Sequence, residues 1–485
     1  MHETDTAAGE SAHTLRRELR AHHLFALSFG SIVGTGWITG VGIWLGLAGS
    51  FGSVIGFALG GLVMILIAVC YSQLAVRYPR AGGEISYAYH MWGLNVAFVT
   101  GWLMVLLYVT AITFQAVVLG WMLDVLLSGA WRGPRLYAVR GEAVYLVPTL
   151  AGIGLGLLIV WINNRGVRGM AQFQTVLTFG KIIVSLVFFG GALSVGNLEY
   201  LAPKWTHDSN DFSMVGLWAV FATTPFFLAG FDVVPLAMGE KSAATSRRAV
   251  HVAIIGSLVA AVAYYALVIL AAAVSLPREQ LLAADLPAIA AFERAFGSLW
   301  LAKLALVAGL MGVLTCWNAS VFAASRVLYA LGESRLVPGW FAHLHPRFGT
   351  PGRAAAFASA MGLLCLMLGK AVVLPVINAS ACCLTVVSVI VCVGLLRLQL
   401  AARSSGDQQI PRIPGGLVTI VAATLGSIFT VLVVFREAWH SSDAAVPIEW
   451  LIFGAWVALG GVFWLATRTS RHTISEEQRR QALLG

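Results

Sequence analysis

Charge is what this chain is shortest of. Only 11% of its 485 residues are Asp, Glu, Lys or Arg, against roughly 25% in a soluble domain. That is too little to cover a water-facing surface. Acids are scarcer than bases, 22 Asp plus Glu against 31 Lys plus Arg. They fall mostly in loops, and nothing among them resembles a catalytic constellation. The six cysteines (Cys70, Cys316, Cys365, Cys382, Cys383, Cys392) all lie within apolar segments, so no disulfide framework is implied. No glycine-rich loop follows a soluble strand, which leaves no nucleotide cradle. Pump, kinase and other enzyme readings fall away. No cofactor or metal is expected, and the distribution of the +9 net charge argues against a nucleic-acid partner.

What is present is apolar. Hydrophobic residues make up 59% of the chain and the mean hydropathy is +0.83. Runs near the ~20-residue bilayer length recur throughout. Hydropathy predicts an all-α polytopic membrane protein of about twelve spans, near 23–47, 52–76, 92–127, 143–162, 171–196, 213–238, 250–275, 299–331, 354–370, 375–399, 414–435 and 447–467. An even count puts both termini on one side. Of the Lys and Arg residues, twenty-one fall on the side of the termini and nine on the other, with Lys181 inside a span. The positive-inside rule makes the first side cytoplasmic. The expected organisation is a cytoplasmic tail (1–20), a five-span set (21–199), a second five-span set (200–400), two further spans (401–468) and a cytoplasmic C-terminal tail (469–485).

Two spans carry interruptions. FGSIVGTGW at 29–37 places Gly30, Gly34 and Gly36 around Ser31 and Thr35. Such a cluster can release the helical ladder, and unpaired backbone groups at bilayer depth are tolerated only where they line a cavity. Five spans later, FFLAGFDVVPLAMGE at 226–240 combines Gly230, the intramembrane acid Asp232 and Pro235, each able to end a helix or costly in lipid. Breaks in corresponding spans of two halves point to an inverted-repeat secondary transporter with its site at the midplane. Half-helix N-termini offer amides to an anion, and half-helix C-termini offer carbonyls to a cation. A site presenting both suits a zwitterion such as an α-amino acid.

The residues around these breaks resemble the amino acid–polyamine–organocation (APC) superfamily of permeases over nearly the full chain. GSIVGTGW at 30–37 is similar to the superfamily's first-helix motif, and RYPRAGGEISYAY at 77–89 to its connection after the second helix. NNRGVRGMAQFQ at 163–174 resembles the start of the fifth helix, and GFD with GE at 230–232 and 239–240 the sixth-helix motif. NASVFAASRVLYALGESRLVP at 318–338 followed by HPRFGTP at 345–351 resembles the eighth helix and its loop. The sequence departs from the pattern after GE, where KSAATSRR replaces a second acid and Asn-Pro.

The resemblance implies a leucine-transporter-like fold, with a 5+5 inverted repeat, broken first and sixth helices and two added C-terminal helices. It also implies a small-molecule substrate, an amino acid or amine, and a protein seated in the lipid bilayer. A substrate carboxylate would meet the amides of Val33, Gly34, Thr35 and Gly36. Its ammonium would meet carbonyls near Ile32, Phe226, Phe227 and Ala229, with Asp232 adjacent and Phe226 as the aromatic gate. Lys181 lies about ten residues into its span, roughly 15 Å from the nearer edge at 1.5 Å per residue, so it must pair or give up its proton. Sodium-independent relatives carry a lysine here, so Lys181 is expected to replace a sodium ion and to couple transport to protons. Trp37, Tyr108, Gln115, Asn318 and Ser320 are candidates for lining the cavity, and Asn318, Ser320 and Ser325 for facing the Lys181 ammonium. A disulfide-linked heavy chain is not expected, since no cysteine lies in an outer loop. Amine or polyamine carriage, exchange, and a channel or sensor role are the alternatives.

Overall fold

The structure, a computed structural model, describes residues 15–127, 131–205, 214–284, 286–405, 413–440 and 447–484. Most of the expected N-terminal tail, residues 1–14, lies outside the described residues, as does the 406–412 connection. The described chain is almost wholly helical. Its opening stretch is α1 (Ala21–Ile32), three non-helical residues, and α2 (Gly36–Arg77). Within α2, Gly49 has φ +69, so two helices meet there at an angle. This is the boundary expected between the first two spans. A side chain at Gly49 would strike the Pro203 carbonyl and the Trp205 amide, at 2.5 and 2.9 Å, so glycine also lets the following loop close over the bend.

Next come α3 (Glu84–Trp92) and α4 (Leu94–Leu126). They lead not directly to a helix but to a β-hairpin, β1 (Arg135–Val139) with β2 (Glu142–Tyr145), paired antiparallel. Its turn residues Arg140 and Gly141 both have positive φ, the backbone that a tight hairpin requires. The hairpin is a small addition to an all-α architecture, and the span expected near 143 begins at Leu146, because residues 142–145 are strand. The bidentate pair from Arg132 to Asp124, at 2.7 and 2.8 Å, ties this loop to the end of α4.

The chain continues through α5 (Leu146–Asn164), α6 (Val167–Val195), α7 (Met214–Phe227), the short α8 (Val233–Leu236) and α9 (Arg247–Ser275). Two short helices, α10 (Arg278–Ala283) and α11 (Pro287–Phe296), precede α12 (Leu299–Glu333). The remainder is α13 (Gly352–Leu366), α14 (Val373–Ser405), α15 (Gly416–His440), α16 (Ile448–Ala466) and α17 (Glu476–Leu483). Among the described residues nine helices are long and apolar enough to cross a membrane. The difference from twelve has a local cause. The first expected span is split between α1 and α2, the sixth stops at Phe227, and α13 is only 15 residues long.

Burial separates the centre from the rim. In α4, 89% of the most apolar stretch is buried, and in α12 72%, whereas α16 has only 17%. The pairs α4 with α12 and α2 with α7 share extensive contacts. Large apolar side chains on α6, α15 and α16, such as Val176, Leu432 and Leu465, face outward, as expected where the surroundings are lipid rather than water. The two interrupted segments therefore run through the middle of the bundle.

Candidate functional site

Glycine and proline end the helices where the site begins. At the first break α1 stops at Ile32, whose successor Val33 leaves helical geometry (φ −88, ψ 73). The Val33 amide still donates to Phe29, 2.8 Å away. It closes α1 and is not free for a ligand, which corrects its expected role. Among the described residues the amides of Gly34 and Thr35 donate to no backbone carbonyl. They precede the first turn of α2, where helix amides are unpaired by construction. The Thr35 hydroxyl is held by Gln115, 3.2 Å away on α4.

At the second break α7 ends at Phe227, after Pro225 within its last turn. Gly230 then takes φ +130. A methyl group there would meet the Ile32 amide at 2.7 Å and the Ser31 side chain at 2.8 Å. Only a residue without a side chain lets the two breaks touch. Asp232 folds back to accept from the Gly230 amide at 2.6 Å and from the Tyr108 hydroxyl, and it is fully buried.

Between the breaks lies a cavity of about 30 Å³, lined by Ile32, Gly34, Thr35, Gly36, Tyr108, Gln115, Phe226, Phe227, Ala229 and Ser320 among the expected residues. This volume holds a water or two but no amino acid. Phe226 lies edge-on to Phe114 and Phe227, at 5.0 and 5.1 Å between centroids, and is half-buried. Asp232 does not line the cavity and reaches it only through Tyr108 and Gly230.

Two candidates point elsewhere. Trp37 is buried, but its ring packs edge-on against Tyr264 and beside Phe188, at 6.3 and 6.5 Å. One residue beyond Gly36, whose missing side chain faces Phe227, it is turned about 100° around α2 and so away from the cavity. Asn318 joins the helices behind the site instead, donating to Gln174 at 2.8 Å and accepting from Asn163 at 2.9 Å.

Lys181, fully buried on α6, donates to the Gly30 carbonyl at 3.2 Å, to the Thr315 hydroxyl at 2.8 Å, and to the Val33 carbonyl. Three acceptors meet the three donors of an ammonium, two of them carbonyls that the end of α1 leaves unpaired. The α12 contact is Thr315, not Asn318, Ser320 or Ser325. Ser320 bonds the Cys316 carbonyl, and Ser325 accepts from Arg326. Sequence reasoning missed Thr315 because it precedes the matched motif by one helical turn. It also missed Tyr265, which lines the cavity and donates to the Ile32 carbonyl at 3.0 Å; nothing in an apolar run around it marks that tyrosine.

Comparison with known proteins shows the family of the chain. The family model for amino acid permeases matches residues 21–463. The methylthioribose transporter of Bacillus subtilis (strain 168) is 30% identical over 351 residues, covering 72% of this chain and 74% of the relative. From the same organism, the branched-chain amino acid permease BcaP is 27% identical, over 74% of this chain and 76% of its own. The glutamate/serine transporter AimA is 25% identical over 88% and 78%. Two broken helices meeting at a central cavity, within a match spanning most of the sequence, place this chain in the amino acid permease family of the APC superfamily, a multi-pass membrane protein concerned with transport.

Proposed function

We propose that the protein is a sodium-independent secondary active transporter of amino acids that works by alternating access. The carrying observation is the meeting of the two breaks, with unpaired Gly34 and Thr35 amides on one wall and the α7 end on the other. Amides at the start of α2 suit a carboxylate, and carbonyls at the end of α7 suit an ammonium. In this reading the bundle comprises twelve spans in a 5+5 inverted repeat plus two. It sits in the cell membrane with both termini cytoplasmic. Phe226 is the gate.

The Lys181 ammonium takes the place of a sodium ion. It gathers the Gly30 and Val33 carbonyls and links them to α12 through Thr315. Because all three partners are neutral, the charge is balanced only by dipoles, and loss of its proton would leave two donors for three acceptors, which couples the first break to protonation. Scarcity of acids in the cavity wall favours amino acids over polyamines, which lack a carboxylate.

The test is uptake of a labelled mixture of the common L-amino acids into proteoliposomes, with sodium replaced by choline. Accumulation above the bath level is expected, since a channel cannot concentrate its solute. A requirement for sodium would sink the role given to Lys181. So would Lys181→Ala protein still fully driven by a pH gradient. Stabilisation by putrescine but by no amino acid, in a thermal-shift screen, would move the assignment to an amine carrier.

A further inference from the structure

The mechanism above leaves one fully buried carboxyl without a use. Glu84 opens α3 and is 0% exposed. Neither of its oxygens has a hydrogen-bond partner in another residue; only its own backbone amide leans toward the carboxyl. The titratable groups facing it come from every neighbouring element. They are Tyr71 of α2, Tyr87 of its own helix, Tyr108 of α4 and Asp232 of the second break. The Tyr71 and Tyr87 hydroxyls are themselves unpartnered, and no basic side chain acts on the Glu84 charge. A carboxylate that is buried, undonated and beside a second carboxyl is far costlier than the neutral acid.

The position also makes that proton conditional on conformation. The cover over Glu84 is built from the second break. Phe231 packs edge-on against Tyr71, at 5.4 Å between centroids. At Gly83, where φ is +46, an added methyl would meet Leu236 of α8 at 2.9 Å. Residues 231–236 thus pack against Tyr71 and Gly83, so their displacement would open the packing around Glu84. In the other direction, Asp232 accepts from Tyr108, whose ring lines the substrate cavity. Tyr108 and Asp232 thus join the cavity to the second break, whose Leu236 packs against Gly83, the residue before Glu84.

We propose that Glu84 is a proton-binding site, distinct from Lys181, loaded by way of Asp232 and emptied when the second break moves aside and water reaches the carboxyl. The step is simple to balance: the carboxylate takes one proton while covered on the substrate side and returns it to water on the other. The proposal rests on the transport reading above, and its test separates the two.

Wild-type, Glu84→Gln and Glu84→Asp proteins would be reconstituted into vesicles containing a pH-sensitive dye. Entry of the labelled amino-acid mixture and of protons would be measured together. Glu84→Gln, a lasting mimic of the protonated acid, is expected to go on moving amino acids with about one proton fewer per amino acid than the wild type. Glu84→Asp should restore the ratio. An unchanged ratio in Glu84→Gln overturns the site. So does loss of movement in both variants while their melting temperatures match the wild type, because a carboxyl then restores nothing. Wild-type protein that moves amino acids without protons overturns the site and leaves transport standing. Wild-type protein that moves no amino acid overturns the transport reading itself.

Discussion

Arg326 and Glu240 form a two-point ion pair, with the guanidinium nitrogens 3.1 and 2.7 Å from the carboxylate oxygens and both side chains about 1% exposed. Arg326 also donates to Ser325 and stacks over Phe322, 3.9 Å from the ring centroid. The pair ties α12 to the turn after α8. The Glu240 carbonyl and the Leu19 amide, 2.9 Å apart, extend the link to the segment before α1. One knot thus holds both broken segments and α12 together.

Breaking that knot from one side leaves a buried charge alone. Glu240→Met is expected to cost about 3–5 kcal/mol of stability, whereas replacing both partners with Met is expected to cost much less. Chemical unfolding in detergent checks this. A single variant as stable as the double would show that the pair carries no such burden.

Gly230→Ala tests whether the breaks must touch. A methyl at φ +130 is strained, and it meets the Ile32 amide. The backbone alone would be destabilised by about 1–3 kcal/mol, and the cavity would be reshaped. Exchange of labelled amino acids should fall at least tenfold, while Gly154→Ala, whose added methyl meets nothing within 4 Å, should behave like the parent. Equal exchange in the two variants would contradict the assigned contact.

Phe226→Ala removes one ring from the Phe114, Phe226 and Phe227 cluster over the cavity. Aromatic pairs contribute about 0.5–1.5 kcal/mol each beyond the area they bury. Apparent substrate affinity should therefore fall by about tenfold, with the folded protein retained. Phe226→Tyr, which keeps the ring, should lose little. Equal affinity in the alanine variant would remove Phe226 as the gate.

The helix breaks around the cavity were legible in the sequence, for a physical reason. Glycine and proline act locally, so the clusters around Gly34 and Gly230 announced helix breaks from composition alone. An isolated lysine inside an apolar run announced a partner, whichever it proved to be. The side-chain directions were not legible. Trp37 sits beside the binding backbone in sequence, yet helical rotation turns it to Tyr264 and Phe188. The hairpin at 135–145 was missed because two short strands with a tight turn add no apolar run.

The sequence by itself determined the solvent of this protein, its helical character, the places where its helices fail and the family it belongs to. Those properties follow from the composition of contiguous stretches. The tertiary structure alone decided which broken end faces which. It brought Lys181 to Thr315 across 134 residues of chain, set Gly230 against Ile32 and buried Glu84 beside Asp232. Contacts between residues far apart in sequence depend on how helices pack, and hydropathy carries no record of packing partners.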